Sequence, residues 1–193
     1  MLALLLSAAL AATPARLGPD ALRARYAGIR ALSADVVQVK EGRFWARPLE
    51  SRIRLTYTPE RITWETVAPV RSTVTIAGDR LVVADASGKT RELGALAGDP
   101  RVVALLGFIR ALVAVDLEAI ERDFTLRYGD GEVVATPRPG ARLALFERIR
   151  LRFDAHDDLT GMELVTATER TRLSFRNVAR TPPPPGAAPG ASR

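Results

Sequence analysis

The chain has 193 residues, 47% of them hydrophobic and 26% charged, which suits one domain with a proper core and is unlike the composition of a disordered chain. It has no cysteine, which excludes a disulfide framework, thiolate metal sites, a thiol nucleophile and a lipid-modified N-terminal Cys. The net charge of +6 comes from scattered arginines, with Lys40 and Lys89 the only lysines; nucleic-acid binders cluster such residues among aromatics, and here no cluster forms.

Met1–Ala12 reads MLALLLSAALAA, an apolar run too short to span a bilayer, with the small-x-small site Ala9-Leu10-Ala11 and polar sequence after it. Residues 1–11 are therefore expected to be a signal peptide, although its n-region has no Lys or Arg, and the chain is expected to be exported. From Gly18 to Leu32, the positions Leu22, Tyr26, Ile29 and Leu32 recur at helical spacing and predict an amphipathic first helix with Asp20 as N-cap.

Beyond it the period falls to two. Val37 and Val39 mark a first strand, Ile53, Leu55 and Tyr57 a second, and Ile62 and Trp64 a third after the Pro59-Glu60-Arg61 turn. Val74 and Ile76 continue the pattern, Gly78-Asp79 turns the chain into Leu81-Val82-Val83, and Ser87-Gly88 turns it again toward Thr90–Leu93. Short strands with turn signals roughly every 8–12 residues predict an antiparallel meander. The arginines in Arg52-Ile53-Arg54-Leu55 and in Arg148–Phe153 alternate with apolar residues, so they fall on a solvated strand face, where they suit anionic lipid headgroups.

Asp99-Pro100 is an N-cap followed by Pro at the first helical position. The helix it opens, about Arg101 to Val113, is apolar almost all round, and such a helix must be covered on more than one side. Asp116–Glu121 predicts a second, shorter helix. Strand period then returns in Phe124–Tyr128, in Val133 to about Pro137, in Phe146–Phe153 and in a last hairpin of Met162–Ala167 and Thr171–Val178. Residues 181–193, rich in Pro, Ala and Gly, predict a disordered tail. The fold class expected is α+β, mainly β: one curved antiparallel sheet with helices on its concave side, over residues 18–180.

No catalytic constellation is legible. The single histidine, His156, sits in Asp154-Ala155-His156-Asp157-Asp158, which lacks the spacing and closing glutamate of a calcium loop and reads as a hairpin turn. There is no nucleophile elbow, Gly-rich phosphate loop or HExxH motif. The expectation is a non-enzymatic protein needing no cofactor and no metal, with a monomeric chain and no nucleic-acid partner. A curved sheet with an apolar lid helix leaves room for a cavity suited to acyl chains, each buried CH₂ being worth about 0.8 kcal/mol. Two other readings stand beside this one: a sensor or regulatory module binding the periplasmic segment of a membrane protein, and an enzyme acting on an acylated substrate.

The order of signals resembles the outer-membrane lipoprotein carrier (LolA-like) family of the bacterial periplasm. The resemblance is carried by Leu32-Ser33-Ala34-Asp35-Val36-Val37-Gln38, by Pro59-Glu60-Arg61-Ile62-Thr63-Trp64 with the Trp-x-x-x-x-Pro spacing to Pro69, by Ile76-Ala77-Gly78-Asp79-Arg80-Leu81, and by the strand Phe146–Phe153 with the closing hairpin to Phe175. It covers about Gly18 to Val178. It implies a half-open β-barrel with a helical lid and a hydrophobic cavity, to which Leu55, Tyr57, Ile62, Trp64, Val74 and Ile76 contribute from the sheet and Leu105, Phe108, Ile109 and Leu112 from the lid. It also implies a periplasmic shuttle that takes the acyl chains of a lipoprotein or another acylated lipid from an inner-membrane transporter to an outer-membrane acceptor. One position departs. Where the family carries an arginine before the proline preceding the Trp strand, tying the lid shut, this chain has Thr58; Arg47-Pro48 with Leu49-Glu50-Ser51 is similar instead to a divergent branch associated with lipid or pigment export.

Overall fold

The computed structural model describes residues 18–43, 45–92, 99–141 and 145–182. The expected signal peptide and all but the first two residues of the expected tail lie outside them. The elements in chain order are α1 (Pro19–Tyr26), β1 (Ala31–Gly42), β2 (Leu49–Thr58), β3 (Arg61–Ala68), β4 (Ser72–Ala77), β5 (Arg80–Ala84), β6 (Thr90–Glu92), α2 (Pro100–Ala114), α3 (Leu117–Glu121), β7 (Phe124–Gly129), β8 (Glu132–Pro137), β9 (Arg148–Phe153), β10 (Leu159–Val165) and β11 (Glu169–Thr181). The eleven strands form one antiparallel sheet in the order β6-β5-β4-β3-β2-β1-β11-β10-β9-β8-β7.

This order is two meanders, β1–β6 and β7–β11, joined where β1 pairs with β11. The edges β6 and β7 stay unpaired with one another among the described residues, so the barrel is incomplete. Because β6 ends at one edge and β7 begins at the other, the connection containing α2 and α3 has to cross from edge to edge. It does so over the face where Leu32, Ala34 and Val36 of β1, Ile53 and Leu55 of β2, Leu173 and Phe175 of β11 and Ile149, Leu151 and Phe153 of β9 are buried.

The opposite face carries the alternate residues: Arg52 and Arg54 of β2, Arg148, Arg150 and Arg152 of β9 and Arg170, Arg172 and Arg176 of β11. Glu163 of β10 lies among them, its carboxylate 3.6 Å from Arg148, 3.9 Å from Arg150 and 3.8 Å from Arg170. Period-two patterning therefore separates an apolar concave side from an arginine-covered convex one.

Curvature comes from interruptions of the ladder. Register shifts occur between β1 and β11 at Ser33/Asp35, between β2 and β3 at Arg52/Ile53, and between β9 and β10 at Leu159/Gly161. At the first, Asn177 adopts φ 51° and its side-chain amide donates to Asp35 Oδ2 at 2.8 Å. An extra residue on one strand bends it and raises the local twist, which curls a wide sheet. Gly42 marks a different constraint, since a Cβ there would lie 2.3 Å from the Thr168 carbonyl oxygen.

The first helix is shorter than its spacing predicts. Pro19 occupies the first turn with Gly18 as N-cap, so Asp20 lies inside the helix and not at its cap. The helix stops at Tyr26; Ile29 falls in the following turn and Leu32 begins the buried face of β1. Their helical spacing arises because both the helix and the strand end bury apolar groups in one core. In β1 the buried residues are Leu32, Ala34 and Val36, so Val37 and Val39 lie on the other side of the strand. Phe146 precedes β9 instead of belonging to it, and β11 runs on to Thr181, into the stretch expected to be tail.

Helix α1 packs at the sheet end where β1 begins and β9 and β11 finish. The Tyr26 ring meets Phe153 edge-on at 5.8 Å and lies under the Arg180 guanidinium at 4.9 Å. Its hydroxyl donates to the Asp157 carbonyl at 2.9 Å and accepts from the Leu159 amide at 2.9 Å. Arg23 joins α1 to α3 through Glu121 at 2.7 Å.

Burial pushes the Tyr26 hydroxyl above the ordinary tyrosine value of 10.0, against the lowering pull of Arg180. The folded state holds this proton more tightly than the unfolded chain does, so stability is intact below about pH 10 and falls as pH rises toward the folded value. Tyr26→Phe is expected to cost about 1–3 kcal/mol at neutral pH, by orphaning the Leu159 amide and the Asp157 carbonyl, and to make the alkaline decline shallower. Chemical denaturation followed at pH 7 and across pH 9–11 checks both effects.

Candidate functional site

Helix α2 begins where Asp99 accepts from the Arg101 amide at 2.8 Å, and Val115 ends it in the left-handed region, φ 55°. A β-branched residue is unfavourable there, but this one is 0% exposed, so its burial holds the turn. Asp116 then caps α3 by accepting from the Ala119 amide at 3.0 Å. These caps fix how α2 rolls over the sheet. Leu105, Ile109 and Leu112, spaced by four and three, share one face.

That face roofs a cavity of about 390 Å³. Its floor is Ile62 and Trp64 of β3, Val74 and Ile76 of β4, Met162 and Leu164 of β10 and Leu173 of β11, with Val113 and Phe146 at the side. Leu145, 57% exposed, stands on the rim. The volume lies within the range of about 300–1,000 Å³ usual for small-molecule sites. Gln38 of β1 is the one polar residue on the lining among the described residues. A second hollow, about 380 Å³ between Arg25, Asp158 and Arg180, is charged, and its arginines are already paired with Asp158.

Of the residues nominated from the sequence, Ile62, Trp64, Val74, Ile76, Leu105, Ile109 and Leu112 border this cavity together. Three are placed elsewhere. Leu55 is 1% exposed in the packed core, and Tyr57 is half-buried against the same core. Phe108 is not on the lining but behind it, stacked on Phe124 at 4.9 Å and tilted against the wall residue Phe146 at 5.7 Å. The sequence reading missed Gln38, Val113, Leu145, Phe146, Met162, Leu164 and Leu173 on the lining. For Met162 and Leu164, strand alternation carried the signal; for Gln38, polarity hid it.

At one end the concave face changes character. Inward positions along β1 run Leu32, Ala34, Val36, Gln38, Lys40, and those along β11 run Phe175, Leu173, Thr171, Glu169. Glu169 accepts from Trp45 Nε1 at 3.0 Å and from the Thr171 hydroxyl at 2.9 Å, with the Lys40 ammonium 3.8 Å away. The Trp45 hydrogen bond, then that of Thr171 and the charge of Lys40, hold its carboxyl below the usual carboxylate range. Glu147 pairs its amide with the Val165 carbonyl, which puts Leu145 and the cavity rim at this same polar end of the sheet.

The loop around His156 has an internal structural role. Asp154 Oδ1 accepts from the His156 amide at 2.8 Å and the Asp158 amide at 3.0 Å, bonds that lower its pKa, the Asp158 bond foremost. Asp158 pairs with Arg25 and Arg180. Among the described residues no group of three or more His, Cys, Asp or Glu is placed to hold a metal ion.

Thr58, the position where the sequence departs from the resemblance, serves the β2–β3 turn, its hydroxyl accepting from the Arg61 amide at 3.2 Å. The side-chain bond from α2 to the sheet is made from the helix: Arg110 donates to the Gly78 carbonyl in the β4–β5 turn.

An open, curved antiparallel sheet holding an apolar hollow under a helix defines an incomplete barrel built around a ligand-sized cavity. Neither a protein-family model nor a curated protein matches the chain. Among solved structures it is similar to a LolA superfamily protein from Nitrosomonas europaea (11% identity, TM-score 0.44, 84% of this chain and 93% of that one) and to a DUF1329 family protein from Desulfovibrio piger (13%, 0.43, 86% and 92%). It is also similar to the lipoprotein LppX of Mycobacterium tuberculosis (12%, 0.42, 82% and 95%).

Arg110→Ala is expected to loosen α2 from the sheet while leaving the core intact. Amide hydrogen exchange should quicken up to about tenfold along α2 and stay unchanged in β9–β11.

Proposed function

We propose that this protein is an exported, non-catalytic carrier that holds the acyl chains of a lipoprotein or another acylated lipid in the cavity beneath α2. The observation that carries the proposal is the cavity itself: about 390 Å³ of space walled by aliphatic and aromatic side chains from α2 and from both halves of the sheet, with Gln38 the one polar residue on the lining among the described residues. Water in such a hollow has few partners, and apolar cavities of this kind take apolar guests. A twelve-carbon chain leaving water for it gains on the order of 10 kcal/mol, before the costs of ordering and association.

These walls favour storage over catalysis. At the polar end Glu169 is engaged by Trp45, Thr171 and Lys40, and the hollow offers mainly hydrocarbon walls to its occupant. No helix among the described residues is long and apolar enough to cross a membrane. With the signal-like Met1–Ala11 segment, this supports a protein that works in the periplasm, collecting its lipid at an inner-membrane transporter and giving it up at an outer-membrane acceptor. A carrier of this kind takes its cargo at one membrane surface and yields it at another, for which a reversible apolar pocket on a rigid sheet is the physical requirement.

Displacement of an environment-sensitive dye by lauroyl probes, together with mass spectrometry of lipid extracted with the protein from the cell envelope, tests this reading. The wild type is expected to bind with micromolar affinity or better. Leu105→Glu, which puts a charge under the helix, and Val74→Trp, which fills the hollow, should each weaken binding at least tenfold while the thermal transition stays cooperative. A protein that extracts without lipid and ignores every acyl probe would end the carrier reading.

A further inference from the structure

The cavity is not uniform along its length, and the gradient says how a guest lies in it. Trp64 and Val74 share a register level with Leu55 and Ala34, and Ile62 and Ile76 share one with Tyr57 and Leu32. Gln38 stands four residues further along β1 than Ala34 and six further than Leu32, about 20 Å of strand for the longer step. Beyond Gln38 the inward positions are Lys40, Thr171 and Glu169, at the end of the sheet where Leu145 is exposed. The hollow is therefore apolar at depth and becomes polar toward its rim.

At that boundary the groups differ in what they have left to offer. Glu169 is committed to Trp45, Thr171 and Lys40. The Gln38 amide lines the cavity, and no hydrogen bond joins it to any described residue. A carboxamide has two N–H donors and a carbonyl acceptor to satisfy, and a hydrocarbon guest offers it nothing. An ester or amide carbonyl satisfies it with a neutral hydrogen bond. A free carboxylate would meet the same donor, but it would lose its water at an apolar boundary where the next inward cation along β1, Lys40, is already paired with Glu169.

Resting on the carrier reading above, we propose that Gln38 is a selectivity residue of this cavity, its amide donating to the carbonyl of an ester- or amide-linked acyl chain whose hydrocarbon runs inward to Trp64 and Ile62. The cargo class is then acyl chains joined to a head group through a neutral carbonyl, with the linkage held at the rim and the head outside. Free fatty acids and bare hydrocarbons are the weaker ligands.

Dye displacement on the full chain with methyl laurate, lauric acid and dodecane, repeated with Gln38→Met, separates the possibilities. Methionine keeps the unbranched shape and removes the donor. The wild type is expected to prefer methyl laurate over dodecane by about five- to tenfold, the yield of one net hydrogen bond, and over lauric acid by at least as much. In Gln38→Met, dodecane should bind as well as before or better, which also reports that the cavity is intact, and the ester preference should vanish. An unchanged ester-to-alkane ratio in Gln38→Met, or a wild type favouring lauric acid, overturns the assignment of Gln38 while leaving the carrier reading in place. Failure of all three probes on the wild type removes both.

Discussion

A helix without a polar face cannot rest on a surface; it has to be covered on more than one side, and the rest of the structure answers to that requirement. In α2 the residues Leu106, Phe108, Ala111, Leu112, Val113 and Ala114 are buried, while Leu105 and Ile109 are half-buried over the hollow. A flat sheet covers one side of such a helix. The curved sheet seen here covers a wide arc of it, and the stacking of Phe108 on Phe124 anchors the helix to one wing. The wing of β3 and β4 faces the helix across the cavity. The helix is thus packed hard on one flank and loosely on the other.

That asymmetry follows from topology. The chain leaves one sheet edge at β6 and must reach the other at β7, so its crossover is obliged to span the concave side. The ladder irregularities at Ser33/Asp35, Arg52/Ile53 and Leu159/Gly161 supply the curl that makes the span short enough. Helix α1 closes one end of the trough through Tyr26 and Arg23, and no comparable element seals the end where Lys40, Glu169 and Leu145 lie among the described residues. The convex face, by contrast, is covered by arginines interleaved with Glu41, Glu65, Glu132 and Glu163, and it has ion pairs where the concave face has hydrocarbon.

Much of this was legible in the residues. Alternation in Ile53-Arg54-Leu55 and Arg148–Phe153 gave strands and their faces, and Asp99-Pro100 gave the start of α2. The all-round apolar character of that helix gave the need for cover. What alternation lacks is depth along the strand. Leu55 and Tyr57 lie on the concave face, yet Leu55 sits in the solid core and Tyr57 is half-buried against it, and neither lines the hollow. Phe108 shares the apolar character of Leu105 and Ile109, and only the roll of the helix decides that it faces Phe124. Gln38 was missed for the opposite reason: a polar residue in a strand reads as solvent-facing until its register with Leu173 shows that it points inward. The helical spacing of Ile29 and Leu32 misled because a turn and a strand end can bury side chains at the same interval as a helix.

The central claim is that the space beneath α2 receives an acyl chain. Isotope-filtered nuclear Overhauser spectroscopy on the protein with a carbon-13-labelled lauroyl probe tests it most directly. Cross-peaks from the chain methylenes to the Met162 methyl, Leu173 and Ile62 are the expected result. A bound probe whose cross-peaks fall only on outer residues such as Val103, with the Met162 methyl silent, would contradict the account.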